Sequence, residues 1–166
     1  MFSAAHFITL ADGSCEPLHG HDFRVGADVE GPLDATQCVV DFVALEKLLR
    51  RILDEFEHRV ILPTEHPAIR VAQQQGEIEV RFEDRRWVFP AAECVLLPVA
   101  NTTAERIAEQ IGRRLLADVR ESLGVQPASA ELRLQESPGY AAVWRWRRRA
   151  KGAERKDGME ECWSGE

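Results

Sequence analysis

The chain reads as an α+β fold, an antiparallel β-sheet with two helices packed on one face. Three observations carry that reading. Paired alternating segments stand at both ends of the chain. Two amphipathic helical stripes lie between them. The stretch at about 64–97 has the alternation and turn residues of a β insertion. The order is β-β-α, a β insertion, then α-β-β, and hairpins separated by helices favour helices gathered on one side of an antiparallel sheet.

Residues 2–8 form the first expected strand, and Thr9 to Leu18, with Gly13, Ser14 and Pro17, form a loop. His19 to Glu30 is a long strand in which His19, His21, Phe23, Val25, Ala27 and Val29 share one face. Gly31-Pro32 stops it. Asp41 is placed to cap a helix whose buried stripe is Leu45, Leu48, Leu49, Ile52, Leu53 and Phe56. That helix ends near Glu57-His58, before the extended Val60-Ile61-Leu62-Pro63. Within the insertion, Ile69 to Val71 is a short strand. Ile78, Val80 and Phe82 alternate with charged residues and pair with Trp87-Val88-Phe89. Cys94 to Val99 is extended. Thr102 and Glu105 form a capping box for the second helix, which buries Ala104, Ile107, Ala108, Ile111, Leu115 and Val119 and ends at Gly124. Strands at about Ala130–Glu136 and Tyr140–Arg148 follow, joined by Ser137-Pro138-Gly139.

The chain has 166 residues, which fits one domain, expected over 1–149, with residues 150–166 a polar, aperiodic and disordered tail. A hydrophobic content of 45% with 30% charged residues is that of a soluble globular protein. The net charge of −7 argues against nucleic acid or an anionic membrane as partner. No apolar run reaches the length of about 18 residues that a membrane span needs. The four cysteines, Cys15, Cys38, Cys94 and Cys162, are too far apart for a metal knuckle or a disulfide framework, which fits a cytoplasmic location. A sheet of about four main strands leaves open edges, so extension from subunit to subunit is expected.

Chemistry concentrates in Cys15-Glu16-Pro17-Leu18-His19-Gly20-His21. His19 and His21 share a strand face, and the first hairpin brings His6 beside them. Three neutral imidazoles with no fourth protein ligand describe a catalytic zinc site open to water or substrate. An isolated HxH pair is more often ordinary surface; the third histidine and the nearby Cys15 shift the balance towards metal. Cys15 is either a plain loop thiol or one activated by neighbouring positive charge. Glu136 continues the buried face of Ala130, Leu132 and Leu134. A carboxylate there needs donors, which two adjacent N–H groups of an aminopyrimidinone ring would supply; an exposed strand end is the alternative. Glu57 beside His58 suits acid–base chemistry or is a polar helix terminus. Thr103 either donates to a ligand or starts the helix. His66 has no partner in this reading, and Trp144 and Trp146 share a sheet face in a core or an interface.

Phe-Ser-Ala-Ala-His at 2–6, C-x-x-x-H-G-H at 15–21, Val-Val-Asp-Phe at 39–42, Glu57-His58, Asn-Thr-Thr-Ala-Glu at 101–105 and the late Glu136 together resemble the 6-pyruvoyl-tetrahydropterin synthase / 6-carboxytetrahydropterin synthase family. The resemblance covers most of 2–62 and 98–146. It implies the tunnelling fold (T-fold), in which two-helix, four-stranded units join into a closed barrel. It implies a homo-oligomer, trimer or hexamer, with active sites at subunit interfaces. It also implies zinc on His6, His19 and His21, Cys15 as the proton-abstracting thiolate, and His58 with Glu57 as the second acid–base group. Glu136 would anchor the pterin with help from Thr103. The implied activity is that of a zinc-dependent lyase acting on 7,8-dihydroneopterin triphosphate. The product would be 6-carboxytetrahydropterin, on the route to queuosine, or 6-pyruvoyltetrahydropterin in the related branch. Arg24 is a candidate for meeting the triphosphate.

The chain departs from the family pattern at Glu57, where Asp is usual. It departs also at Asp22-Phe23 in place of Asn-Tyr, at Thr102 in place of Pro, and in the length of the insertion. Two alternatives stand beside the lyase. One is a zinc hydrolase acting on a pterin-like or other heterocycle. The other is a non-catalytic, oligomeric protein that binds metal or pterin.

Overall fold

A computed structural model describes residues 1–149. The expected tail at 150–166, with Cys162, lies outside the described residues. The elements are β1 (Phe2–His6), β2 (His19–Glu30), α1 (Phe42–Asp54), β3 (Arg59–Pro63), β4 (Arg70–Gln74), β5 (Glu77–Phe82), β6 (Arg85–Pro90), β7 (Cys94–Leu97), α2 (Ala104–Leu123), β8 (Ser129–Ser137) and β9 (Tyr140–Arg147).

The main sheet runs β7-β3-β1-β2-β8-β9. Its β1-β2-β8-β9 portion is antiparallel, as expected. Two further strands extend it past β1, and they differ from the expectation: β3 pairs with β1 in parallel, and β7 pairs with β3 in parallel. A parallel partner needs a crossover, and α1 supplies one between β2 and β3. The segment Cys94–Leu97 therefore belongs to the main sheet. The insertion proper is the separate three-stranded sheet β4-β5-β6. Its first strand begins and ends later than the sequence suggested, because the turn falls at Gln75-Gly76.

Both helices lie on one face. Asp41 caps α1 by accepting from the Val43 N–H at 2.8 Å. Leu45, Leu48, Ile52 and Leu53 then bury the inner stripe against Phe2, Phe23 and Phe56. On α2 the cap is Thr103, which accepts from the Arg106 N–H, and the capping box expected from Thr102 and Glu105 does not form. Thr102 is instead fully buried. Gly124 ends α2 in the left-handed conformation at φ 64°, which L side chains avoid.

The second face of the sheet is covered only in part. Phe7 and Leu62 meet Ile69, Ile78, Val80 and Phe82 of the insertion in a second core, against which Cys15, Leu18 and Trp87 also pack. Over β1 and β2 this face stays open as a groove lined by Ser3, Ala5, Gly20, Asp22, His58 and Arg59.

Trp144 of β9 lies flat on α2 where the helix has Gly112, and Trp146 lies 4.3 Å beneath the Arg120 guanidinium. A Cβ at position 112 would stand 2.2 Å from Trp144 Cε3. Overfilling a packed contact costs about 1–3 kcal/mol. In a chain of this size, each 1 kcal/mol lowers the melting temperature by about 2–4 °C. Gly112→Ala is therefore expected to melt several degrees early in a thermal unfolding scan. An unchanged melting temperature would show that the Trp144 ring is free to move aside.

Candidate metal centre

His6 stands directly opposite His19 in the β1–β2 register, with Ala4 opposite His21. Cross-strand partners point to the same face, so all three imidazoles emerge on the helix side of the sheet. Their ring centroids are 4.7–5.3 Å apart. Glu136, two residues beyond Leu134 on β8, joins them. One ligand atom from each of His6, His19, His21 and Glu136 lies within 4.8 Å of every other.

Tautomers follow from the outer contacts. His6 Nδ1 donates to the Thr102 carbonyl at 2.7 Å, and His19 Nδ1 donates to the Pro17 carbonyl at 2.8 Å. A carbonyl can only accept, so both Nδ1 atoms carry protons and the neutral rings present Nε2 lone pairs inward. Glu136 Oε1 lies 3.0 Å from His6 Nε2 and 3.2 Å from His21 Nε2. Both Nε2 atoms are buried and make no hydrogen bond. The His6 lone pair facing this carboxylate is repelled by it unless an electrophile, a proton or a metal ion, sits between them. Three imidazoles and one carboxylate form a donor set suited to zinc, among other transition metals, so the residues present fit a metal. Burial pushes the His21 ring below its usual pKa despite Glu136. The neighbouring imidazoles, His6 foremost, hold Glu136 below the usual carboxylate range.

Thr102 supports this centre in a way the sequence did not disclose. Its hydroxyl donates to the Phe7 carbonyl at 2.9 Å while its own carbonyl fixes His6. Asn101 grips the Thr9 backbone from both sides, its Oδ1 accepting at 3.2 Å and its Nδ2 donating at 2.9 Å. His66 does have a partner. Its Nδ1 accepts from the Ala68 and Ile69 N–H groups, so Nε2 donates to the Thr9 hydroxyl at 2.9 Å.

The other expected site residues distribute differently. Cys15 bridges Thr9, and its thiol donates to the Glu16 carbonyl at 3.4 Å. It packs against the second core, where burial pushes its pKa up against the pull of Arg85. Its neighbour Glu16 turns a carboxylate towards the imidazoles, with Oε2 4.0 Å from His19 Nε2. The signal for it was its place three residues before His19. Thr103 caps α2 next to Thr102. Glu57 and His58 do pair, Oε1 to Nδ1 at 3.0 Å, and Glu57 also accepts from the Ser3 N–H. His58 donates its own N–H to the Ser3 carbonyl and lines the open groove. Ser3 is three residues from His6, about 10 Å along a strand. His21, opposite Ala4, borders the same groove as His58. Arg24 lies on the groove side of β2, exposed, and adds no positive charge at the cluster. Among the described residues, no helix is long and apolar enough to cross a membrane.

The family model for 6-pyruvoyl tetrahydropterin synthase matches residues 1–146. The chain belongs to this family. Its members are enzymes of tetrahydropterin synthesis. A Pyrococcus abyssi protein provisionally assigned as a 6-carboxy-5,6,7,8-tetrahydropterin synthase is 30% identical over 144 residues, 86% of this chain and 84% of its own. The Haemophilus influenzae 6-carboxy-5,6,7,8-tetrahydropterin synthase is 27% identical over 142 residues, 82% of this chain and 88% of its own. Among solved structures, the Plasmodium falciparum 6-pyruvoyl tetrahydropterin synthase superposes with a TM-score of 0.81 at 28% identity, over 88% of this chain and 91% of that one. A Plasmodium vivax synthase superposes with a TM-score of 0.81 at 25% identity and the same coverage; it is described as a mutant in which a catalytic glutamate is replaced by alanine. These likenesses show the T-fold for this member of the family.

Proposed function

We propose that this family member is a zinc-dependent lyase acting on the C6 side chain of a dihydropterin, with 7,8-dihydroneopterin triphosphate as substrate and 6-carboxytetrahydropterin as product. The observation that carries it is the inward convergence of three Nε2 atoms and the Glu136 carboxylate, with Nδ1 protons of His6 and His19 committed elsewhere. His6, His19 and His21 would hold the metal. When bound, zinc supplies Lewis acidity that makes side-chain hydroxyls easier to deprotonate. Glu136, ionised at neutral pH, accepts from the amino and ring N–H groups of the pterin and sets its position. The Thr102 and Pro17 carbonyls keep His6 and His19 in one tautomer.

The proton acceptor comes from the Cys15-Glu16 pair. The family resemblance points to the Cys15 thiolate. The geometry favours the Glu16 carboxylate, which faces His19 while the thiol packs against the insertion. The catalytic glutamate named for the Plasmodium vivax synthase supports that second reading. His58, held by Glu57, serves a cluster of another chain across a subunit interface in a homo-oligomer. The positive charge for a triphosphate must then come from outside the immediate cluster of one chain.

Mass spectrometry after incubating zinc-loaded protein with dihydroneopterin triphosphate tests the reaction. The expected products are 6-carboxytetrahydropterin, acetaldehyde and triphosphate. A product that retains three side-chain carbons would place the chain in the pyruvoyl branch. Release of phosphate alone would make it a hydrolase, and bound but unchanged pterin would make it a binding protein.

A further inference from the structure

The insertion sheet reaches across to the loop that carries Cys15 and Glu16, which no role in the proposed chemistry yet explains. Arg85 opens β6 and is half-buried. One nitrogen of its guanidinium, Nη1, donates to the Cys15 carbonyl at 2.8 Å and to the Glu16 carbonyl at 3.0 Å. The same guanidinium lies over the Trp87 ring, 5.8 Å from its centroid. Trp87 in turn stacks on Phe7, centroids 4.9 Å apart and planes 15° from parallel. Phe7 follows the metal-centre residue His6 and is fully buried. From the other side, the Glu16 N–H donates to the Ile8 carbonyl at 3.0 Å. The loop is thus held between the end of the first strand and an arginine anchored on an aromatic stack.

We propose that Arg85 is a positioning residue for the active-site loop: the insertion sheet acts as a scaffold whose guanidinium fixes the Cys15-Glu16 backbone relative to the three imidazoles. A neutral loop carbonyl pair gains strong hydrogen bonds from a charged donor. The carbonyls belong to the two residues that carry the candidate proton acceptors, so the clamp serves whichever of them takes the proton. The positive charge also sits beside the thiol, where it opposes the effect of burial. The Trp87 and Phe7 rings keep that charge from swinging away, a cation–π arrangement of the usual kind. The role rests on the lyase reading for its catalytic consequence, while the clamp itself is a statement about loop order.

The test uses the full-length, metal-loaded protein and two variants, Arg85→Met and Arg85→Lys. Hydrogen exchange at the Glu16 amide, which donates to the Ile8 carbonyl, reads the clamp through the order of the loop that the guanidinium holds. Loss of two charge-assisted bonds is expected to speed that exchange by about tenfold or more in Arg85→Met. Metal content should stay near wild type, and the melting temperature should fall by several degrees with the chain still folded at the assay temperature. Arg85→Lys keeps a charged donor and should restore most of the protection. With turnover established, kcat should fall by about 100-fold in Arg85→Met, the effect of a displacement near 1 Å, with KM little changed. Arg85→Lys should recover part of the rate. Unchanged Glu16 exchange in a folded Arg85→Met chain overturns the proposal, as does a rate loss that Arg85→Lys fails to relieve at all. A wild-type protein without turnover on any pterin defeats the lyase reading instead, and the exchange result still decides the clamp.

Discussion

A His21→Ala chain is expected to lose its transition metal and, with it, pterin turnover, while keeping its secondary structure. His21 is one of three rings whose Nε2 atoms converge with Glu136. Removing mere outer support from a metal ligand costs about 10–100-fold in affinity, and removing a ligand exceeds that range. The two remaining imidazoles, His6 and His19, would hold zinc at least about 100-fold more weakly by that measure. Metal analysis after dialysis and a cobalt titration followed by absorbance would read the change. The comparison variant is His66→Ala, which removes an imidazole bonded to Thr9 rather than one in the cluster. Wild-type stoichiometry and affinity in His21→Ala would mean that the convergence of the rings serves no metal.

The histidine part of this centre was legible before any coordinates. The alternation of His19, His21 and Phe23 gave their common face, and the short loop gave His6 as a neighbour. The register then places His6 opposite His19. Glu136 was legible only as a carboxylate on an apolar face, because its strand pairs with β2 across more than half the chain. Thr102 was misread because the local pattern with Glu105 is a good cap, and a buried long-range contact to Phe7 and His6 outweighed it. The parallel strands β3 and β7 were hidden for a similar reason. Val60–Pro63 and Cys94–Leu97 read as apolar runs in isolation, and nothing local states that they pair with each other. The split between Cys15 and Glu16 was out of reach of the sequence. Neighbours on an extended segment face opposite ways, and which way depends on the insertion packing against one of them.

The second large effect concerns that split. Glu16→Gln is expected to lower kcat by about 10²–10⁴-fold, the usual contribution of a positioned acid–base group. Metal content should be unaffected, since Glu16 is outside the four-donor cluster. Cys15→Ala should lose much less. The side chain removed is a half-buried thiol whose pKa is raised by burial, which disfavours the thiolate at neutral pH. Steady-state kinetics of the two variants, each assayed for zinc, decide the matter. The reverse ranking would return the proton-abstracting role to the thiol, as the family resemblance implies. Equal and small losses in both would remove the segment from the chemistry and favour attack by a zinc-activated water.

The long reach between Thr102 and His6 bears on how the protein is made. A chain leaving the ribosome exposes all three imidazoles within its first two strands. His19 has its Pro17 carbonyl at hand, but the set is not yet assembled, because the carbonyl that holds His6 arrives with the start of α2 and the carboxylate arrives only with β8. The nascent segment is therefore a poor trap for stray cations. Binding energy for the ion becomes available only when distant parts of the polypeptide meet, so loading would come late in biosynthesis and act as a seal on the finished topology.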